Sequence, residues 1–283
     1  MHGAEVLPPC VNKSFAETTI RAKKIYLGFA FLQSFESKTI KRFLTERTQN
    51  GPFLSLDDFI DRVPISVEQL AILIKINAFE FTKRNKRELL WEAHMKINKV
   101  TFEENKLILF KAEKVNYETP KLPHTQLEDA FEQLELLGYP LCNPFDLLVD
   151  PTIHSMRAKQ LPGYAKKIVT IDAYLVTTKR TATSNKKTMY FGTFLDKDGD
   201  FVDTVHFPPV AAKYRFQGRG IYRITGKVME EFDCINLEVI KMERLAIIED
   251  PRYSDALTQV NSVKNFNRRA QADFKGKPAL TGS

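Results

Sequence analysis

Between Lys166 and Ile248 the chain alternates apolar and polar residues in five short runs, with one helical stretch inserted after the third. A period of two is the signature of a strand with one face buried. Five such strands, each bounded by turn residues, can remove their exposed edges by closing on themselves. The runs are Ile168 to Thr177, Met189 to Leu195, Phe201 to Phe207, Ile221 to Val228 and Ile235 to Ile240. Val169, Ile171, Ala173 and Leu175 share one face of the first. Asp196-Lys197-Asp198-Gly199 makes a hairpin turn, and Pro208-Pro209 opens the inserted helix, which runs through Tyr214. The pattern predicts a small closed barrel.

The connection after the first run carries the strongest local charge. From Thr177 to Thr188 stand Lys179, Arg180, Lys186 and Lys187 with no acidic residue, followed at once by Tyr190 and Phe191. Four cations facing outward together would attract phosphates, and an aromatic ring beside them could stack on a base. Tyr190 and Phe191 fall on opposite faces of their strand, so one of the two is expected to be exposed. The same residues also fit a solvated hairpin beside core aromatics.

The whole chain has 42 Lys plus Arg against 35 Asp plus Glu, a formal charge of +7, so local distribution says more than the sum. With 283 residues and 43% hydrophobic content, it can bury about two cores. Its three cysteines, Cys10, Cys142 and Cys234, are far apart and odd in number, which points to a reducing cytoplasm rather than a disulfide framework. Neither a secretory leader nor an apolar run of about eighteen residues is present, so no membrane partner is expected.

The first half reads as helical. Glu36 to Thr48 is amphipathic, with Ile40, Phe43 and Leu44 on one side and Lys38, Lys41, Arg42 and Arg47 largely on the other. Asn50-Gly51-Pro52 ends it. Ser55 caps a second helix with Asp58 three residues on, and Ser66 caps a third whose apolar stripe is Leu70, Leu73 and Ile74. A fourth spans Arg87 to Ile97. Thr125 caps a later helix with Glu128 as reciprocal partner, ended by Gly138 and Pro140. Upstream, Ile25 to Ala30 is a possible strand in an otherwise irregular start. Beyond Asp250 the chain turns polar, and a mobile segment is expected from Asn265 to Lys277.

Catalytic patterns are not found. Asp196, Asp198 and Asp200 have the opening spacing of a calcium loop, but Phe207 stands where a bidentate Glu is required, which favours a hydrated hairpin. Asp57, Asp58 and Asp61 suit the first turns of an exposed helix. The five histidines are dispersed without metal-ligand spacing, and neither a nucleophile elbow nor a phosphate loop occurs. No catalytic residue, metal site or cofactor is expected in this chain.

The order of several segments is more specific. Leu7-Pro8-Pro9-Cys10-Val11-Asn12-Lys13-Ser14, then Gly51-Pro52-Phe53-Leu54-Ser55-Leu56-Asp57-Asp58-Phe59, then Leu70 to Phe79, then the barrel, together resemble the C-terminal part of bacterial DNA polymerase III alpha subunits. The resemblance covers about Ala4 to Ile248. It implies an α+β multidomain fold, with the end of a fingers region at 1–35 and a helix-hairpin-helix-like domain at 36–98. A linker at 99–165 would carry a helix and a possible clamp-binding segment. The five-stranded OB-fold β-barrel would span 166–248, and a polar basic tail 249–283.

By the same resemblance, the catalytic aspartates and their Mg2+ belong to a palm that would precede Met1, so this chain would hold single-stranded template and duplex DNA for synthesis performed elsewhere. The implied nucleic-acid contacts are Lys179, Arg180, Lys186, Lys187, Tyr190 and Phe191 on the barrel and Lys38, Lys41, Arg42 and Arg47 on the helical part. Ser34, Phe35 and Glu36, and later Asn77, stand where the family's hairpins use glycine to bare backbone amides to phosphate. Leu109 and Phe110 match the end of a sliding-clamp peptide, with Lys106 in place of its leading Gln; other replicase subunits are implied partners, but a tau-binding domain is not. The competing expectation is a non-catalytic structural or protein-interaction module whose OB fold does not itself bind DNA.

Overall fold

The computed structural model describes residues 4–103, 124–183, 186–231, 234–253, 262–267 and 269. The chain divides into two compact units, Met1–Leu141 and Cys142–Ser283. Leu109 and Phe110 lie outside the described residues.

The first unit begins with a small sheet of β1 (Glu5–Leu7), β2 (Thr19–Arg21) and β3 (Lys24–Tyr26), in the order β1-β3-β2. Then come α1 (Ser37–Asn50), α2 (Leu56–Arg62), α3 (Val67–Lys75), α4 (Lys86–Glu103) and α5 (Gln126–Leu137). The caps are those read from sequence. Ser55 accepts from the Asp58 amide at 3.1 Å, Ser66 from Gln69 at 3.4 Å and Thr125 from Glu128 at 3.3 Å. Phe29, Phe43, Phe53, Phe59 and Phe79 are buried together. Three of their pairs meet edge to face with centroids 4.7 to 5.1 Å apart, the arrangement that ring quadrupoles favour.

A polar knot ties α5 to the start of α4. The Lys86 ammonium, almost fully buried, pairs with Asp129 and with Glu132 at 2.5 Å, and donates to the Lys75 carbonyl at 2.8 Å. Arg87 reaches Glu128 at 2.9 Å, and His124 bridges Glu128 and Asp129. Burial opposes ionisation of Asp129, but the His124 hydrogen bond and the Lys86 charge overcome it and hold its carboxyl below the usual range. At Glu132 burial prevails and raises the carboxyl above its ordinary value despite Lys86.

The second unit is a closed barrel of β4 (Ile168–Ala182), β5 (Thr188–Leu195), β6 (Phe201–His206), β7 (Ile221–Glu231) and β8 (Cys234–Arg244), in the order β4-β5-β6-β8-β7. A short helix, α6 (Pro208–Lys213), sits between the third and fourth strands. Only β6 and β8 pair in parallel among these strands. Five strands in this Greek-key order with that helix make an OB fold. Val169, Ile171, Ala173 and Leu175 point inward with Phe194, Val202, Tyr222, Ile224, Val228, Leu237, Val239 and Met242.

One strand does two jobs. The first half of β4 pairs with β7, from Ile168 opposite Lys227 to Tyr174 opposite Ile221. From Tyr174 onward the strand pairs with β5, with a register shift between Leu175 and Thr177. The β5–β6 turn is held by Asp196, whose Oδ1 accepts from the Asp198 and Asp200 amides and whose Oδ2 accepts from the Ala158 amide. Gly199 supplies the positive φ of 85° that the turn needs. After the barrel, residues 262–267 are helical and Phe266 is buried, so the mobility expected from Asn265 onward is corrected at that helix by a side chain with an apolar seat.

Candidate nucleic-acid interface

Strand β4 runs to Ala182, so Lys179 and Arg180 lie on a strand and not in the loop that the sequence suggests. The apolar alternation stops at Leu175, but backbone pairing with β5 carries the strand on as a two-stranded ribbon. Lys179 pairs opposite Phe191, Arg180 opposite Tyr190 and Ala182 opposite Thr188. Directly opposed residues share a face and neighbours alternate. The four cations therefore do not face outward as one group: Lys179 joins Phe191 on the outer face, and Arg180 joins Tyr190 on the inner one.

All four are nonetheless exposed, with Lys186 and Lys187 at the ribbon's tip. There the Lys186 amide donates to the Thr183 carbonyl at 2.8 Å, and Lys186 has a φ of 59°.

The two aromatics divide as their alternation requires. Tyr190 is half-buried and meets Phe216 edge to face at 5.7 Å, whereas Phe191 is 44% exposed. Phe191 pairs opposite Val205, and Phe201 pairs opposite Leu195 on the same outer face of β5 and β6. Phe201 is 67% exposed. Four strand positions separate their levels, roughly 13 Å. Sequence reasoning placed Phe201 on a strand but did not single it out, although the inward positions of Val202 and Thr204 already turn it outward.

On the inner side, the Thr204 hydroxyl donates to the Gly192 carbonyl at 3.0 Å and lies 2.9 Å from His206 Nε2. Burial pushes His206 down to about 4, so it is neutral near pH 7. Gly192 is required here, because an added Cβ would stand 2.7 Å from Thr204 Oγ1 and 2.8 Å from the Phe194 ring.

The cations of α1 are placed differently. Arg47 donates to the carbonyls of Val11 at 2.6 Å and Ser14 at 2.8 Å and lies 5.0 Å from the Phe15 ring centroid. Burial lowers its pKa. Arg42 donates to the Pro64 carbonyl at 2.5 Å, and Lys38 pairs with Glu36 at 3.2 Å. Lys41 is exposed. The expected basic helix face is thus largely internal fastening, with Arg47 structural in every contact it makes here.

Both hairpin turns keep the left-handed geometry without glycine, with φ of 59° at Ser34 and 65° at Asn77. Asn77 ends α3 by a double bond pattern: its amide donates to Ile74 and the Ala78 amide to Leu73, each at 2.9 Å. In the first turn Gln69 fills the role of a ligand. Its Oε1 accepts from the Glu36 amide at 2.8 Å, and its amide donates to the Ser34 carbonyl at 2.9 Å. An amide that a phosphate would need there is already engaged, beside the Glu36 carboxylate.

A model of the helix-hairpin-helix motif matches residues 3–89. Together with the barrel, this defines a class: a helix-hairpin-helix unit followed by an OB fold. An error-prone DNA polymerase of Mycobacterium tuberculosis is 36% identical over 94 residues, covering 32% of this chain and 9% of the relative. The DNA polymerase III alpha subunit of Aquifex aeolicus is 26% identical over 249 residues, covering 86% of this chain and 21% of the relative. That of Staphylococcus epidermidis is 25% identical over 271 residues, covering 89% and 24%. These matches, over most of the chain, support a resemblance to the C-terminal part of bacterial DNA polymerase III alpha subunits. The chain spans less than a quarter of the length of these relatives.

Among solved structures, a putative nucleic acid-binding lipoprotein of Klebsiella pneumoniae is similar with 18% identity and a TM-score of 0.26, covering 30% of this chain and 78% of that one. The second OB-fold domain of replication protein A from Methanococcus maripaludis gives 16% and 0.21, covering 30% and 87%. The fold assignment rests on the barrel's own strand order.

Among the described residues, His124, Asp129 and Glu132 are grouped closely enough to share a metal ion. The Lys86 ammonium already pairs with both carboxylates, so this group does not fit the Mg2+ that a polymerase uses. No helix among the described residues is long and apolar enough to cross a membrane.

Proposed function

We propose that this chain is a DNA-holding portion of a replicative polymerase of the DNA polymerase III alpha family, gripping single-stranded template through the β4–β5 ribbon and the outer face of β5 and β6. The observation that carries the reading is the run Lys186, Lys187, Lys179, Phe191 and Phe201, all exposed, leading from the ribbon's tip along its outer face. Cations there neutralise phosphates, and the two rings offer stacking platforms that accept any base. Nucleotidyl transfer, with its Mg2+, belongs to a palm outside this chain. The compartment is the cytoplasm, and the other replicase subunits are partners in the same assembly.

Attachment to a sliding clamp is assigned to Leu109 and Phe110. The check is co-elution of the full chain with a clamp, expected to be lost in Leu109→Ala/Phe110→Ala. Duplex DNA is the second ligand, with Lys38 and Lys41 as its contacts on α1.

The deciding experiment is anisotropy of a labelled oligothymidylate with the full chain across a salt series. Each phosphate contact contributes about 0.7 to the log–log salt slope, or about fivefold in affinity at 0.1 M salt. Lys186→Ala/Lys187→Ala is therefore expected to weaken binding by roughly 25-fold and lower the slope by about 1.4. A wild-type chain that leaves the oligonucleotide free at low salt would reduce the barrel to a scaffold.

A further inference from the structure

The inner face of the ribbon leads to a second cluster of positive charge that the reading above does not use. The turn after α6 runs Lys213-Tyr214-Arg215-Phe216-Gln217-Gly218-Arg219-Gly220, with no acidic residue. Lys213, Arg215 and Arg219 are exposed.

This turn is firmly built. The buried Tyr222 donates its hydroxyl hydrogen to the Gly218 carbonyl at 2.7 Å and accepts from the Gln217 amide at 2.8 Å. Arg244 donates to the Arg219 carbonyl at 2.8 Å. Phe216 wedges the turn against the ribbon, with its ring 5.7 Å from Tyr190 and 4.8 Å from His206. Tyr190 and His206 are opposed across β5 and β6, and Arg180 is opposed to Tyr190 across β4 and β5. Arg180 and the basic turn thus meet around one aromatic seam.

Near the start of β8 the exposed charges are mixed, with Lys166, Lys167 and Lys227 close to two carboxylates. Asp203 and Glu230 are exposed there. Asp203 pairs opposite Asn236 and Glu230 opposite Ile235, which fixes both near the start of β8. A polyanion following the outer face between Phe191 and Phe201 passes Asp203. One that continues from the ribbon to the α6 turn meets Arg180, Lys213 and Arg215.

We propose that Arg180, Lys213 and Arg215 form a phosphate track on the inner side of the ribbon, so that single-stranded DNA stacked on the outer face passes over the tip and leaves across the α6 end of the barrel. Tyr190 and Phe216 support the track without being bound by it, and the neutral His206 adds no charge. This path rests on the DNA-holding reading and specifies which way the strand leaves.

The test is the same oligothymidylate titration on the full chain with Lys213→Ala/Arg215→Ala, read beside Lys186→Ala/Lys187→Ala and beside Lys227→Ala/Lys241→Ala, which removes two charges from the β7–β8 wall. The track predicts a slope lower by about 1.4 and roughly 25-fold weaker binding for the first pair, with little change for the wall pair. Thermal melting checks that the fold is kept. Unchanged binding in the α6-turn variant with a loss in the ribbon variant would overturn the track while leaving the DNA reading in place. Equal losses in the turn and wall variants would also overturn it, since bulk charge would then suffice. No binding by the wild-type chain would remove both.

Discussion

Two groups of cations, one in each unit, are used in opposite ways. In the helical unit, Arg42 and Arg47 answer carbonyls of the same unit, Arg62 pairs with Glu46 and Asp58, and Lys86 is enclosed by carboxylates. On the barrel, Lys179, Lys186, Lys187 and Arg215 end in solvent. A cation already satisfied by its own chain must break those bonds before it can meet a phosphate, and an exposed one need not. Counting basic residues would rank the α1 helix with the ribbon; accounting for their partners separates them.

The strongest challenge to this contrast is Lys86→Met. If the helical unit uses its cations as internal fastening, removing this one strands the buried Glu132 carboxylate, strips Asp129 of its charged Lys partner and costs about 3–5 kcal/mol. Urea unfolding at pH 7 reads the loss. Its pH dependence has a definite sign. The lowered Asp129 carboxyl contributes stability that is fully present above its unfolded value and is lost as pH falls through its folded one. The variant should therefore lose most relative to wild type near neutrality, and the gap should narrow in acid as the two carboxylates protonate. A variant as stable as wild type at pH 7 would break the contrast from the helical side.

From the barrel side, Phe201→Ala is expected to weaken oligothymidylate binding by about 1–3 kcal/mol, the worth of one stacked base. Stability should barely change, since the ring is already mostly in water. Because no charge is removed, the salt slope should stay constant; a changed slope would show that Phe201 acts through the phosphate contacts instead. The smallest effect is reserved for Ser34→Gly. A left-handed φ costs a residue with a Cβ more than it costs glycine, so the variant should gain up to about 1 kcal/mol, and chemical denaturation can resolve it. DNA affinity should not follow, because Gln69 still occupies the Glu36 amide.

Much of the fold was legible because it is written in local periodicity. Ser55, Ser66 and Thr125 announce their helices, and the alternation from Val169 to Leu175 announces the barrel wall. The start of the chain was harder to read, since β1, β2 and β3 are three residues each, too short to show a period. The strand limit at Thr177 was missed for a different reason: Thr178 to Ala182 have no buried face of their own and are strand only because β5 lies alongside.

The candidate site was legible in part. Its residue types could be found from charge without acid between Thr177 and Thr188, but which face each takes depends on the register shift beside Val176. The commitments of Arg47 and Gln69 rest on partners 33 to 36 positions away, beyond any local pattern. Ser34 and Asn77 show the converse. Neither residue is glycine, yet the backbone adopts the left-handed turn at both, and in the first turn the neighbouring Gln69 side chain fills it.

The extra residue in β4 is absorbed at one joint, and the arm beyond it stays in step with β5. Deleting Val176 would remove the bulge and leave Lys179 opposite Phe191 and Arg180 opposite Tyr190, whereas deleting Thr178 with the bulge kept would move Lys179 to the Gly192 position on the Tyr190 side and Arg180 to the Phe191 position, without altering a single charge. A protein of the same net charge would then present its projecting arm inside out, so an indel beyond this joint is a more searching probe of strand path than any substitution.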